Sequence, residues 1–282
     1  MTNTLLSFGH GFSAQALVPR LTGDWRIIGT TRSPDKAAQI AATGVETRLW
    51  PGDDISLDGV THLLVSIAPR GEGDPVLNAF GDRIAARAGQ FDWVGYLSTT
   101  GVYGDHQGGW VDETTPLAPT TLRGKWRKEA EEAWAAIPGL PLHIFRLAGI
   151  YGPGRGPFAK VRNGTARRIV KPGQVFSRIH VDDIAQVLAA SIARPNPGAV
   201  YNLCDDDPAP PQEVIAHAAH LLGLPVPPEI PFDEAEMTAM ARSFYAESKR
   251  VRNDRIKREL GIRLLYPDYR SGLAALLKAE DQ

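Results

Sequence analysis

Thr4-Leu5-Leu6-Ser7-Phe8-Gly9-His10-Gly11-Phe12-Ser13-Ala14 is the stretch that decides the fold. A short apolar run reads as a strand, stops at a Gly-x-Gly-x-x-Ala corner, and gives way to helical spacing from Ser13 to Leu21. The first glycine permits a tight turn. The second lets backbone approach a diphosphate, whose charge rests at the helix N-terminus. Gly9, Gly11, Phe12 and Ser13 are therefore candidate dinucleotide contacts. The same pattern also fits an ordinary strand–turn–helix glycine pair, but the strand before it and the helix after it favour the ligand-binding reading. Pro19 would cost about 3 kcal/mol in a helix interior, so this helix is expected to end early.

Outward from that corner, apolar runs alternate with amphipathic segments. Strands are expected at 26–29, 45–49, 62–67, 93–98 and 142–147, and helices at 36–42, 76–88 and 121–136. Such alternation makes a parallel sheet covered on both faces, an α/β doubly wound fold. Sheets of this kind bind ligands beyond the carboxyl ends of their strands. Those ends add Ile67, Ala68, Pro69, Ser98, Leu147 and Gly149 to the candidate cofactor contacts. An acidic residue after the second strand would hold the ribose 2′-hydroxyl of NAD. This chain has Thr30-Thr31-Arg32-Ser33 there, with Arg32 21 residues after Gly11. Its fork of donors suits a 2′-phosphate, so Thr31 and Arg32 favour NADP, with NAD the alternative and a solvated loop arginine the plain reading. Trp50 suits either an adenine contact or a place in the core.

The 282 residues carry 31 basic and 32 acidic side chains, a net charge of −1, which argues against nucleic acid or an anionic membrane as partner. With 43% hydrophobic and 22% charged residues the chain is globular. Its one cysteine, Cys204, allows no disulfide framework or cysteine-based zinc site, the seven histidines are scattered, and no metal is expected. The absence of a long apolar span or leader pattern gives the expectation of a cytoplasmic protein.

Four later segments carry a resemblance. Leu97-Ser98-Thr99-Thr100-Gly101-Val102-Tyr103-Gly104, the pair Asp112-Glu113 with Thr115-Pro116, Arg146-Leu147-Ala148-Gly149-Ile150-Tyr151-Gly152-Pro153-Gly154, and Ile179-His180-Val181-Asp182-Asp183-Ile184-Ala185 occur in order. Together with the glycine corner they resemble the extended short-chain dehydrogenase/reductase superfamily, which includes epimerases and dehydratases. The resemblance implies a Rossmann-type sheet with a small substrate lobe. It also implies a Ser or Thr, a Tyr and a Lys around a nicotinamide. Thr99 falls on the Ser/Thr position. The Tyr-x-x-x-Lys pair that should open the helix near 120–128 is absent. Counting back from Glu131 puts Arg123 and Arg127 on its two positions, and counting forward from Pro119 puts Thr120 and Gly124 there. An arginine cannot give up a proton in a protein. Arg123 is therefore left to stabilise charge and Arg127 to keep a positive charge near the ribose, unless both belong to a solvated helix face.

Tyr103 and Tyr151 are stand-in proton donors, each with a packed, hydrogen-bonded alternative. Arg155, Arg178 and His180 are candidate substrate contacts, His180 again with a structural alternative. Tyr245 and Lys249 reproduce the missing pattern far down the chain, in a basic, helix-like stretch from 242 to 258, and read as coincidence. The expected domains are 1–152 with 178–204 for the dinucleotide, and 153–177 with 205–282 for a small-molecule substrate. Long helices in the superfamily often form dimers, so a homodimer is in keeping with the resemblance. Two functions follow: an NADP(H)-dependent oxidoreductase or epimerase-like enzyme on a small polar substrate, or a dinucleotide-binding regulator without turnover.

Overall fold

The computed structural model describes residues 2–280. In chain order the elements begin with β1 (Asn3–Phe8), α1 (Phe12–Leu17), β2 (Trp25–Thr31), α2 (Pro34–Ala41), β3 (Glu46–Leu49), β4 (His62–Val65), α3 (Pro75–Ala85) and β5 (Trp93–Thr99). They continue with β6 (Trp110–Val111), α4 (Leu122–Ala135), β7 (Leu142–Leu147), β8 (Gly149–Tyr151), α5 (Phe158–Arg162), β9 (Arg168–Val170), β10 (Arg178–His180) and α6 (Val181–Ala193). The last are β11 (Val200–Leu203), α7 (Pro211–Leu221), β12 (Glu229–Pro231), α8 (Ala239–Phe244), β13 (Arg250–Val251), α9 (Asp254–Leu260) and α10 (Tyr269–Glu280).

Seven strands form one parallel sheet in the order β11-β7-β5-β4-β1-β2-β3. The order reverses beside β1, the doubly wound arrangement. Strands covered on both faces need continuous apolar runs, and Leu63, Leu64 and Val65 in β4 are fully buried, as are Leu6 and Phe8 in β1. One core gathers Leu6, Phe8, Val65, Phe80, Tyr96 and Trp134. Pro19 falls where expected: α1 stops at Leu17 and a 3-10 turn over Val18–Arg20 takes the proline. β11 was not expected from the sequence. Its four residues follow a proline-rich segment and are bounded by another.

The chain divides into two compact units. The first holds residues to 99, 122–146 and 184–201; the second holds 100–121, 147–183 and the remainder from 202. The segment 100–121 and the residues following β7 go with the C-terminal part. The stretch from 242 to 258 is not one helix. α8 ends at Phe244, β13 pairs in parallel with β6, and α9 begins at Asp254. Tyr245 and Lys249 therefore do not share a helical turn.

Candidate functional site

In the first unit, the corner after β1 is built by the end of β2. Gly9 donates its N–H to Thr30 Oγ1 at 2.9 Å and His10 donates its N–H to the Thr30 carbonyl at 2.8 Å. Gly9 has φ +79°, and a Cβ there would stand 2.8 Å from Ile67 Cγ1. Its glycine is demanded by the fold itself. The His10 ring is buried against Gly29, with both ring nitrogens lacking a hydrogen-bond partner among the described residues. Burial pulls its pKa down to about 4, so the corner carries a neutral imidazole at pH 7.

Gly11 differs from Gly9. Its φ is −102°, which any residue adopts, and an added Cβ would meet only the Gly9 carbonyl, at an ordinary 3.7 Å. Gly11 is also exposed. Nothing within the chain calls for glycine at this position, so the open backbone face is free for a group from outside. Around it Phe12 is half-buried and Ser13 buried, Ile67 half-buried, Ala68 exposed and Pro69 buried. Thr31 is half-buried. Arg32 is exposed and has no ion-pair partner among the described residues. The Trp50 ring is set edge-on to Phe8, with centroids 5.4 Å apart, and tilted against Phe80 at 5.7 Å, on the margin of the core.

At the carboxyl end of β5, Ser98 and Thr99 have different fates. Ser98 is buried and donates its hydroxyl to Glu131 on α4. Glu131 in turn holds the guanidinium of Arg146 at the end of β7, with Nη2 at 2.8 Å and Nε at 3.2 Å. Glu131 and Arg146 are 3% and 6% exposed, a buried pair that fastens α4 to two strand ends. Ser98 is thereby committed to the frame, while Thr99 stays half-buried at the strand's tip. On α4, Arg123 is exposed. Arg127 is half-buried and donates from Nη1 to the Leu97 carbonyl at 2.7 Å and to the Tyr96 hydroxyl at 3.2 Å. A fixed positive charge thus stands at the tip of β5. Burial pushes the Tyr96 phenol up, against the opposing pull of Arg127.

In the second unit the stand-in tyrosines are both buried. Tyr103 is fully buried and its hydroxyl donates to Asn202 Oδ1 at 2.7 Å. Tyr151 is 7% exposed, and its ring lies so close to α10 that a Cβ on Gly272 would meet the hydroxyl at 2.1 Å. Burial, reinforced by the charges of Asp205, Asp183 and Asp268, drives its phenol far up. His180 is buried between the rings of Tyr151 and Tyr266, and its Nδ1 accepts the Asp182 N–H at 3.2 Å. Burial lowers its pKa, against the opposing pull of Asp182. The Arg178 guanidinium is spent on the carbonyls of Phe176 and Ala209, at 2.8 and 3.0 Å. Arg155 is exposed on the loop after β8, Gly149 is exposed and Leu147 buried. Tyr103, Tyr151 and His180 are thus all buried.

Sequence reasoning missed Thr30, whose side chain and carbonyl both fix the corner; its signal was only its place at the end of β2. Among the described residues no three His, Cys, Asp or Glu side chains gather as a metal site, and no helix is long and apolar enough to cross a membrane.

No family model matches the chain. Escherichia coli protein YeeZ is 30% identical over 277 residues, 92% of this chain and 95% of YeeZ. The 3-diazoavenalumate denitrifying reductase of a Streptomyces species is 28% identical over 177 residues, 58% of this chain and 55% of the reductase. A solved protein of unknown function from Silicibacter pomeroyi is 67% identical, with all of both chains covered and a TM-score of 0.95. More distant solved structures, among them an epimerase and a dehydratase, are 16–20% identical and share the fold at TM-scores of 0.73 to 0.77, some holding NAD and one NADPH. With the glycine corner, the Ser98–Glu131–Arg146 frame and the four ordered motifs in place, the chain belongs with YeeZ to the extended, epimerase/dehydratase-like short-chain dehydrogenase/reductases, as an atypical member without the Tyr-x-x-x-Lys pair.

Proposed function

We propose that the protein is an NADP(H)-dependent oxidoreductase of the epimerase/dehydratase type acting on a small polar substrate. One observation carries this reading: Gly11 exposes bare backbone where neither conformation nor packing inside the chain requires it. A diphosphate is the ligand that such a corner fits. When bound, the dinucleotide supplies or takes up a hydride at its nicotinamide ring. The chain's own residues hold and orient it. The Gly9–Gly11 backbone receives the diphosphate, Arg32 receives the 2′-phosphate, and the charge of Arg127 takes over the electrostatic part of the absent lysine near the ribose. Thr99 hydrogen-bonds the reacting oxygen. Arg127 cannot supply a proton, so it orients and does no acid–base work.

Calorimetry of wild type and Arg32→Ala with NADPH and NADH tests the cofactor assignment. A charge-assisted contact with the phosphate contributes about 1.5–3 kcal/mol, roughly 10- to 100-fold in affinity. NADPH is expected to bind tighter by that margin in wild type and equally with NADH in Arg32→Ala. Equal affinities in wild type refute the NADP assignment. Binding without any NADPH oxidation across a carbonyl panel would make the protein a dinucleotide-binding regulator instead.

A further inference from the structure

The tip of β5 and the first half of α4, both in the first unit, hold an excess of positive charge. The segment Leu122-Arg123-Gly124-Lys125-Trp126-Arg127-Lys128 carries four basic residues and no acidic one. Of these four, Lys128 alone finds a carboxylate among the described residues, Glu132 Oε1 at 3.7 Å. Arg127 is half-buried, and its two hydrogen bonds, to the Leu97 carbonyl and the Tyr96 hydroxyl, both use Nη1. Its Nε and Nη2 have no partner among the described residues. The guanidinium also lies over the Tyr96 ring, 5.5 Å from its centroid. Neutral groups thus hold it in place and leave most of its donor fork unspent.

The acidic groups nearby are engaged elsewhere. Glu131, one turn further along α4, is held by Ser98 and Arg146. Asp74, whose charge acts on Tyr96, caps α3 by accepting the N–H groups of Val76 and Leu77 at 2.9 and 3.1 Å, and makes no ion pair among the described residues.

Two arguments lead from this arrangement to an anion. A charge taken part-way out of water without a counter-charge is costly. Arg123, which is exposed, stands four residues before Arg127 on the same face of α4, and like charges at that spacing repel. A neutral ligand relieves neither cost. An oxyanion relieves both, because the guanidinium fork matches a carboxylate or a phosphate with two parallel hydrogen bonds. Thr99, given the reacting oxygen above, lies two residues after the Leu97 carbonyl that anchors Arg127, on the same strand end.

We propose that Arg127, with Arg123 one turn before it, is an oxyanion site of the first unit, and that the substrate is an anion carrying a carboxylate or phosphate group in addition to the oxygen that reacts. This adds to the electrostatic task already given to Arg127 and uses the donors that task leaves over.

The inference names the substrate class of the proposed redox site and so rests on that reading, but its test reads the two separately. Malonate, inorganic phosphate and the uncharged malonamide are titrated by calorimetry into wild type with and without saturating NADPH, and into Arg127→Gln, Arg127→Lys and Arg123→Gln, with melting temperatures recorded for each. A charge-assisted contact is worth roughly 10- to 100-fold in affinity. Malonate or phosphate is expected to bind the NADPH-loaded wild type while malonamide does not, and the tighter of the two anions identifies the oxyanion. Arg127→Gln should weaken that anion roughly 10- to 100-fold, with Arg127→Lys, which keeps the charge but not the fork, in between. Absence of anion binding, or equal affinity in Arg127→Gln, overturns the site. So does displacement of the anion by NADPH, which would give the arginine to a phosphate of the cofactor. Where Arg127→Gln also lowers the melting temperature, the exposed Arg123→Gln decides, and unchanged anion affinity there overturns the site as well. Wild type that binds NADPH but neither anion loses this site and keeps the redox reading; wild type that binds malonate or phosphate but no NADPH keeps the site and loses that reading.

Discussion

Replacing Gly11 by alanine separates the requirements of the fold from those of a ligand. The backbone at Gly11 is extended, with φ −102° and ψ −155°, and the new methyl group would meet only the Gly9 carbonyl at 3.7 Å. No strain or overlap is introduced, so stability should move by no more than about 0.5 kcal/mol. For a chain of this size that is about 1–2 °C in melting temperature. Binding should respond very differently. A methyl group on the face that meets the diphosphate pushes the anion out of reach of the backbone donors, each charge-assisted contact contributing about 1.5–3 kcal/mol. Loss of two contacts is about 3–6 kcal/mol, roughly 10²- to 10⁴-fold in Kd. Gly9→Ala is the matched control. There φ is +79° and Ile67 Cγ1 would be 2.8 Å away, so the fold itself should suffer. Scanning fluorimetry and calorimetry with NADPH read both quantities on both variants. Unchanged NADPH affinity in Gly11→Ala, or a melting loss as large as that of Gly9→Ala, refutes the assignment of Gly11 to an outside ligand.

Breaking the buried Glu131–Arg146 pair by Glu131→Leu leaves an uncompensated guanidinium, at a cost of about 3–5 kcal/mol, whereas Glu131→Leu with Arg146→Met should fall much nearer to wild type. Urea denaturation of the double-mutant cycle checks this, and purely additive losses would rule out the pair as a unit. Asp205 is almost fully buried, both its carboxylate oxygens lack a partner among the described residues, and burial raises its pKa to about 8. Between the ordinary carboxylate range and pH 8 the folded chain keeps a proton that the unfolded chain has lost, so this residue makes stability fall as pH rises. Asp205→Asn should therefore gain on wild type in melting temperature from pH 5 to pH 8, and a constant gap between the two would contradict the assignment.

The first half of the chain was legible because local pattern and tertiary role coincide there. β1, β4 and β5 are continuous apolar runs since both faces of the sheet are covered, and Pro19 announces the end of α1. β11 escaped notice because four residues between proline-rich segments carry too little periodicity. The stretch from 242 to 258 misled for the opposite reason: its basic residues suggest a solvated helix, but Lys249, Arg250 and Ser248 thread into the second unit through hydrogen bonds to distant carbonyls. Thr120 meets Glu247 across 127 residues of sequence, a pairing that no local spacing announces. Tyr103 and Tyr151 illustrate a further limit. Position in a motif gives a side chain's place on the chain, but whether its hydroxyl faces a ligand or a packed neighbour depends on Asn202 and on Gly272, which lie far off in sequence.

These placements give several of the motif residues a structural task. Ser98 and Arg146 are both consumed by Glu131, Tyr103 by Asn202, and Asp183 by the N–H groups of Leu265 and Tyr266. Each of these contacts ties together elements that are distant in sequence, and breaking any one strands a buried polar group at a cost of about 1–3 kcal/mol or more. Such residues are held by the architecture whatever reaction the protein performs. Gly11 is under no comparable constraint from packing, being exposed and with only the Gly9 carbonyl in the way of a Cβ. The residues that hold the frame are thus not the glycine proposed to meet the dinucleotide.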